Sequence, residues 1–249
     1  MKKHILSWSG GKDSTASIIL AHLNNEPIDL IVFSEVMFDE NISAELPEHI
    51  EFIKNICIPK FEEWGYEVKI LHADKTYMDS FHHIVVRGRH KGMKSGFPMA
   101  GRCAINRDCK VKPINDFWKQ YKEDSVVQYV GIAIDEPERL ERLQDTNRVS
   151  LLAKYGYTED MAYKLCLQYG LLSPTYDFSF RGGCWFCPNA KLPELRRLRE
   201  CHNDLWQRLL DLEQEENLAG YMWNIRNKTS IRELEEEFKK EEQCLYSLH

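Results

Sequence analysis

The first two dozen residues constrain the fold most. Residues 3–8 (KHILSW) form a short apolar run with a bulky, β-prone end, Ser9-Gly10-Gly11-Lys12-Asp13-Ser14 follows, and residues 15–23 have apolar side chains at helical spacing. The unit reads as strand, tight turn, helix. At such a turn the unpaired backbone N–H groups and the helix dipole favour an anion, and paired glycines let the backbone approach phosphate oxygens. Lys12 adds a point charge, Ser9 and Ser14 add hydroxyl donors, and Asp13 is a carboxylate able to hold Mg2+ or brace the loop. The spacing is not that of the GxxxxGK[ST] loop.

Alternation continues beyond it. Residues 29–36 (DLIVFSEV) are a continuous apolar run suited to a strand buried on both faces, residues 47–64 follow as a helix with proline in the first turn, and residues 66–73 form the next strand. Such alternation implies crossover connections and a parallel sheet. Residues 84–107, rich in glycine and cations, break the pattern and read as a long loop. Residues 111–121 read as a helix, 126–134 as a buried strand, and helices dominate afterwards, over 136–144, 158–170, 191–213 and 230–243. The expected fold class is α/β, a doubly wound, mostly parallel, Rossmann-like sheet with a C-terminal helical subdomain. The expected division is 1–146 for the α/β domain and 147–249 for the helical subdomain carrying the CxxC turn.

Of the 249 residues, 43% are hydrophobic, 29% charged and 11% aromatic, which excludes a disordered, collagenous or coiled-coil chain. No run approaches the ~18 apolar residues of a membrane span, and no signal peptide is read, so a cytoplasmic location without membrane contact is expected. The net charge of −6 argues against a surface that clings to nucleic acid throughout. The charge is uneven, however. From Arg87 to Lys112 eight cations (Arg87, Arg89, Lys91, Lys94, Arg102, Arg107, Lys110, Lys112) stand against the single acid Asp108, whereas residues 232–242 carry six Glu against three cations. The basic run is either a solvated loop or an anion-binding flap.

In a reducing compartment the eight cysteines are candidates for metal or redox chemistry before disulfides. Cys184-Trp185-Phe186-Cys187 follows Arg181-Gly182-Gly183, and Cys103 and Cys109 stand earlier. Four thiolates suit zinc or an iron–sulfur cluster equally well, Cys201 competes as fourth ligand, and unligated thiols or a redox pair stay open. Cys57 and Cys166 lie on apolar helical faces, as small core residues do. His82-His83 could meet a phosphate or serve the surface. Trp8, Phe33 and Met37, at strand ends, could pack an adenine or belong to the core.

The Ser9–Ser14 stretch resembles the SGGxDS loop of the PP-loop ATP pyrophosphatases, of adenine nucleotide alpha hydrolase-like fold, which grips the β- and γ-phosphates and leaves the α-phosphate open to attack. The resemblance implies ATP and Mg2+ as cofactors and AMP and pyrophosphate as products, with Ser9, Gly10, Gly11, Lys12, Asp13, Ser14, Phe33 and Ser34 as nucleotide contacts. Phe38-Asp39-Glu40 with Glu45-Leu46-Pro47-Glu48 resembles the acidic stretch of the phosphoadenosine phosphosulfate (PAPS) reductase family. So do Lys110-Val111-Lys112-Pro113, the stretch from Gly131 to Arg139, and that from Arg181 to Pro188. Reductases of that family have lost the intact loop, which favours ATP here. Their arginine is absent at Ala133, which passes phosphate contact to Arg139 or Arg142. Their C-terminal E-C-G-L-H segment is only echoed at Cys244, which reads as a tail cysteine. The Arg181–Cys187 stretch is most similar to the DNA phosphorothioation subunit, and this implies a 4Fe-4S cluster, with Zn2+ as the alternative, on Cys103, Cys184, Cys187 and one of Cys109 or Cys201.

The expected activity is therefore ATP cleavage to AMP and pyrophosphate by Lys12, Asp13 and Arg139, activating an anionic acceptor, nucleic acid or sulfate-like, for sulfur transfer. A sulfur-donor or reductant protein would be the partner. Alternatives are a thiol-dependent PAPS or APS reductase, and a module that senses nucleotides or binds nucleic acid without turnover.

Overall fold

The computed structural model describes residues 2–99, 103–122, 125–179, 182–224 and 227–246, the last three by backbone alone. Arg102, Arg181, the Cys244 side chain and residues 247–249 lie outside the described set. By compactness the chain parts into two units, each gathered from separated segments: Met1–Glu35, Glu45–His72 and Lys112–Gly182 in the first, Val36–Ala44, Ala73–Val111 and Gly183–His249 in the second. This grouping cuts across the division at 146/147, which stays a proposal about linear organisation.

The described strands are, in chain order, β1 (Lys3–Trp8), β2 (Leu30–Ser34), β3 (Val68–Leu71), β4 (Lys94–Gly96), β5 (Val126–Tyr129), β6 (Arg148–Val149) and β7 (Leu218–Gly220). In the first unit they form a sheet of order β3-β2-β1-β5-β6 in which every pair is parallel. Side chains alternate across it, so the faces fill separately. Leu6, Trp8, Ile31 and Phe33 pack with the first helix, Lys12–Leu23, while Ile5, Leu30, Val32 and Val126 pack on the other face with Phe117 of the helix Lys112–Trp118. Both faces are covered, which is why all five residues of β2 are buried and why its sequence is an unbroken apolar run. The α/β, doubly wound, parallel architecture is thus the one that the alternation predicts.

The order matters for function. From β1 the chain moves outward through β2 and β3 on one side and returns to β5 and β6 on the other, so neighbouring β1 and β5 send their connections in opposite directions. In open α/β sheets such a switch leaves a crevice beyond the carboxyl ends of the strands. Helix Lys12–Leu23 starts there. Its residues Ser14–Ala21 are all buried, so it has no solvent stripe, and it packs against the helix Glu159–Gln168 as well as the sheet.

Local departures from the sequence reading have physical causes. The helix expected over 47–64 runs as Pro47–Phe52, a π-helical Ile53–Cys57 and Ile58–Glu63. Pro59 lacks the N–H that would continue the α-ladder, and the wider turn precedes it. The helix expected over 191–213 breaks at His202 (φ −134°, ψ 58°) into Leu192–Cys201 and Asn203–Glu213.

In the second unit β4 and β7 pair in parallel, and Phe38, Tyr77, Phe81, Phe97, Trp185 and Phe186 form an aromatic core. The acidic stretch near the C-terminus is neutralised locally: Arg199 meets Glu235 at 2.7 Å and Glu242 at 2.5 Å, and Trp206 Nε1 donates to Glu235. The basic run is ordered too. An Ile84–Lys94 bridge closes a turn carrying Arg87, Arg89 and Lys91, Val85 N–H bonds Met93 O, and Lys94 is anchored to Glu215 at 2.8 Å.

One contact fixes how the segment after β5 meets the first helix. A Cβ on Gly131 would sit 2.5 Å from Ser14 N and 2.7 Å from Ser14 Cα. Gly131→Ala should therefore lower unfolding stability by about 1–3 kcal/mol, as overpacking against backbone does, read by denaturant titration. An unchanged midpoint would mean that this approach is not tight.

Candidate nucleotide site

The turn after β1 is shaped by its glycines and braced by its hydroxyls. Gly10 has φ +76°, and a Cβ there would lie 2.7 Å from Ile53 Cδ1 and 2.9 Å from His49 Nε2. Ser9 donates to Ser14 Oγ through its amide and meets it again hydroxyl to hydroxyl, both at 3.1 Å, and Ser14 Oγ donates to Gly11 O. Trp8 Nε1 donates to Thr15 Oγ1 at 2.9 Å and ties the strand end to the helix. Gly11, the N-cap, has extended backbone (φ −80°, ψ 162°) and offers no side-chain cap. The first-turn amides are therefore left for other acceptors. One such acceptor is internal: Lys12 N–H donates to Tyr176 Oη at 2.9 Å.

Lys12 does not stand alone in the turn. Its Nζ lies 2.8 Å from Asp13 Oδ1 and 2.8 Å from Glu159 Oε2, with the lysine side chain 12% exposed. Burial opposes its charge, but hydrogen bonds to the two carboxylates outweigh burial and raise its pKa, so it stays an ammonium. Burial pushes Asp13 above its ordinary value, and Lys12 offsets part of that.

A cavity of about 420 Å3 opens at the switch point, lined by Ser9, Gly11, Asp13 and Ser14 from the turn, Val130 to Ile132 after β5, and the cations Arg139 and Arg148. The two arginines differ. Arg139 is paired with Glu136, whose other oxygen accepts Ala133 N–H at 3.1 Å. Arg148 donates through Nε to Gln128 Oε1 at 3.1 Å, and no carboxylate among the described residues pairs with it. An anion entering the crevice would meet helix amides, Asp13 with its lysine, and at least one guanidinium with open donors.

Of the residues singled out from sequence, Ser9, Gly11, Asp13, Ser14 and Arg139 line the cavity, Gly10 shapes the turn, and Lys12 points to its carboxylates. Phe33 is fully buried against Trp8 (ring centroids 5.4 Å apart), and Ser34 is buried at the end of β2. Neither is among the residues lining this cavity. Trp8 is a core residue, 3% exposed. Cys57 and Cys166 lie in the same core, and burial pushes the Cys166 thiol up to about 12. Cys166 also donates to Lys12 O at 3.2 Å, so a cysteine read as filler supports the turn from beneath. Arg148, Glu159 and Tyr176 escape sequence reading because each arrives from a distant segment.

The remaining cysteines belong to the second unit. The CxxC turn is tight, with Cys187 N–H on Cys184 O at 3.0 Å. It is strapped by Trp185, whose N–H and indole N–H donate to Ala44 O and Ser43 O, each at 2.9 Å. Cys109 is buried, donates to Thr76 O at 3.8 Å, and has its pKa raised by burial, so it is held as a thiol. Cys201 is exposed. Tyr77 is fully buried beside Phe186 (4.1 Å between centroids), and its hydroxyl has no hydrogen-bond partner among the described residues. Burial raises its pKa well above the ordinary value, with lesser contributions from Cys103 and Cys184. Among the described residues, however, no three His, Cys, Asp or Glu side chains are grouped to hold a metal ion.

No protein-family model matches the chain. A curated protein of Methanocaldococcus jannaschii, the uncharacterized protein MJ0973, is 26% identical across 86% of this chain and 50% of its own length. The chain thus spans about half the length of that relative. Among solved structures, the U34-tRNA thiolase NcsA from Methanococcus maripaludis with its 4Fe-4S cluster matches with a TM-score of 0.42 and 17% identity, covering 83% of this chain and 66% of that one. A likeness that slight carries no inference about this chain. No helix among the described residues is long and apolar enough to cross a membrane.

Proposed function

We propose that this chain binds ATP in the switch-point crevice, cleaves it to AMP and pyrophosphate, and thereby activates an oxygen of an anionic acceptor for replacement by sulfur. The observation that carries the reading is the cavity itself: a glycine-shaped turn, helix amides, a half-buried Asp–Lys pair and two arginines converge at the carboxyl ends of β1 and β5. The resemblance of the turn to the PP-loop supports ATP as the nucleotide. The β- and γ-phosphates lie along the first-turn amides, Asp13 takes Mg2+, and Lys12 leaves a carboxylate partner to meet the pyrophosphate. An acceptor oxygen attacks the α-phosphorus, the bond from that phosphorus to the α,β-bridging oxygen breaks, and pyrophosphate leaves with the bond electrons. A sulfide-level nucleophile then attacks the acceptor carbon, and AMP departs with the former acceptor oxygen. The chain contributes position and charge stabilisation.

Arg87, Arg89 and Lys91 are exposed and have no carboxylate partner among the described residues, which supports a role in holding the acceptor's phosphates. With candidate acceptors, product chromatography should give AMP and pyrophosphate, and Lys12→Ala and Asp13→Ala should each abolish turnover. Replacing the three basic-turn residues by alanine should weaken acceptor binding and flatten its salt dependence with ATP affinity nearly unchanged. ADP and phosphate as products would sink the reading. ATP binding without AMP would favour the sensing module, and reduction of PAPS or APS by a thiol without ATP would favour the reductase.

A metal centre on Cys103, Cys184, Cys187 and one of Cys109 or Cys201 is a separate proposal, supported by the donor set and by the orphaned hydroxyl of Tyr77, and opposed by the lack of three grouped metal-binding side chains among the described residues. If present, it would hold or deliver sulfur, and no step above runs through it. Protein purified without oxygen should be brown, absorb near ~400 nm and contain iron and acid-labile sulfide. One zinc per colourless chain would make the centre structural. Metal content unchanged in both Cys184→Ser and Cys187→Ser would remove the proposal.

A further inference from the structure

The sheet face that carries Ile5, Leu30, Val32 and Val126 is apolar, as a helix-covered parallel sheet requires. Toward β6 that face turns polar. Gln128, in register with Ile5 of β1 and Arg148 of β6, donates through Nε2 to Ser7 Oγ at 3.0 Å and accepts Arg148 Nε–H at 3.1 Å. The amide is used at both ends, which aims Arg148, and among the described residues its terminal NH2 groups have no hydrogen-bond acceptor.

Arg148 lines two cavities. One is the crevice described above; the other, of about 250 Å3, lies along the same face and is also bordered by Asn115, Trp118, Tyr121, Lys122 and Asn147. That volume is below the ~300–1,000 Å3 usual for drug-sized ligands and suits one ring system. Trp118 and Tyr121 set their rings 6.1 Å apart at 59° and both rest on Phe117, so the aromatic wall is preformed. Two cations border the cavity and none of its described lining residues is acidic. Aromatic rings for stacking, side-chain amides for a heterocycle edge and cations for a phosphate together describe a recognition surface for a nucleotide.

We propose that this second cavity is a subsite for one nucleotide of the acceptor, its base against Trp118 and Tyr121 and its phosphate between Lys122 and Arg148. The subsite rests on the reading of the crevice as the ATP site, because the shared Arg148 then stands between the bound nucleotide and the α-phosphate region. It adds to that reading the chemical class of the acceptor.

The test uses the full chain with the crevice saturated by a non-hydrolysable ATP analogue, and titrates uridine 5′-monophosphate and a uridine RNA hexamer by calorimetry. Binding of at least one probe is expected. The variant Asn115→Ala/Lys122→Ala, at two exposed positions, should weaken it roughly tenfold, and Trp118→Leu by at least as much, the scale of one lost base stack plus a phosphate contact. The affinity for the ATP analogue should stay unchanged. Tighter hexamer binding assigns the nucleotide to a strand, and equal binding assigns it to a free nucleotide; either supports the site. If Trp118→Leu fails to fold, the exposed double variant decides alone. Absence of binding by both probes, or unchanged affinity in the folded variants, overturns the subsite. The two readings fail separately: AMP release that persists while probe binding is absent removes only the subsite, whereas probe binding without AMP release keeps the subsite and removes the ATP reading.

Discussion

The close approach of the segment after β5 to the first turn of the first helix is the contact on which the site depends. Gly131 stands where any Cβ would press on the Ser14 backbone, so β5 and the helix N-terminus share one wall. The parallel order β3-β2-β1-β5-β6 places this wall where the connections diverge, and the crevice follows from that divergence. Gly10 completes the geometry by turning the chain through a left-handed conformation between Ile53 and His49. Neither glycine contributes a functional group. Together they determine which backbone amides face the cavity.

Electrostatics within the crevice divide the cations by commitment. Lys12 is held between Asp13 and Glu159, and Arg139 is paired with Glu136, so each must exchange a carboxylate for a phosphate on binding. Among the described residues, the Arg148 side chain is held only through Nε by a neutral amide. A paired cation must give up a carboxylate before it can take a phosphate, whereas an uncommitted guanidinium is ready to bind an anion bidentately. The contrast shifts attention from Arg139, the arginine that sequence favoured, toward Arg148.

Features that a short stretch of chain determines were legible in the sequence. The Ser9–Ser14 turn, the buried strand of residues 29–36 and the alternation that makes the sheet parallel all follow from local composition and period. Residues brought together by the fold were not legible. Tyr176 reaches the Lys12 amide from a short 3-10 turn, Cys166 reaches the Lys12 carbonyl from a helix, and Glu159 reaches Lys12 from that helix's first turn. Phe33 was read as a nucleotide contact because it ends a strand, yet an aromatic at that place also closes the core, and it is fully buried there. The cysteines show the limit most plainly: spacing paired Cys184 with Cys187, but which thiols approach one another is a property of the second unit's packing, which buries Cys109 and exposes Cys201.

The central claim is that the helix amides at the switch point hold the terminal phosphates of ATP while the α-phosphate faces the arginines. A crystal structure of the chain with α,β-methylene ATP and Mg2+ tests it directly. The account predicts β- and γ-phosphate oxygens at hydrogen-bond distance from the amides between Gly11 and Ser14, with the α-phosphate turned toward Arg148. A triphosphate bound away from this turn, or one lying with its α-phosphate on the helix amides, would contradict it.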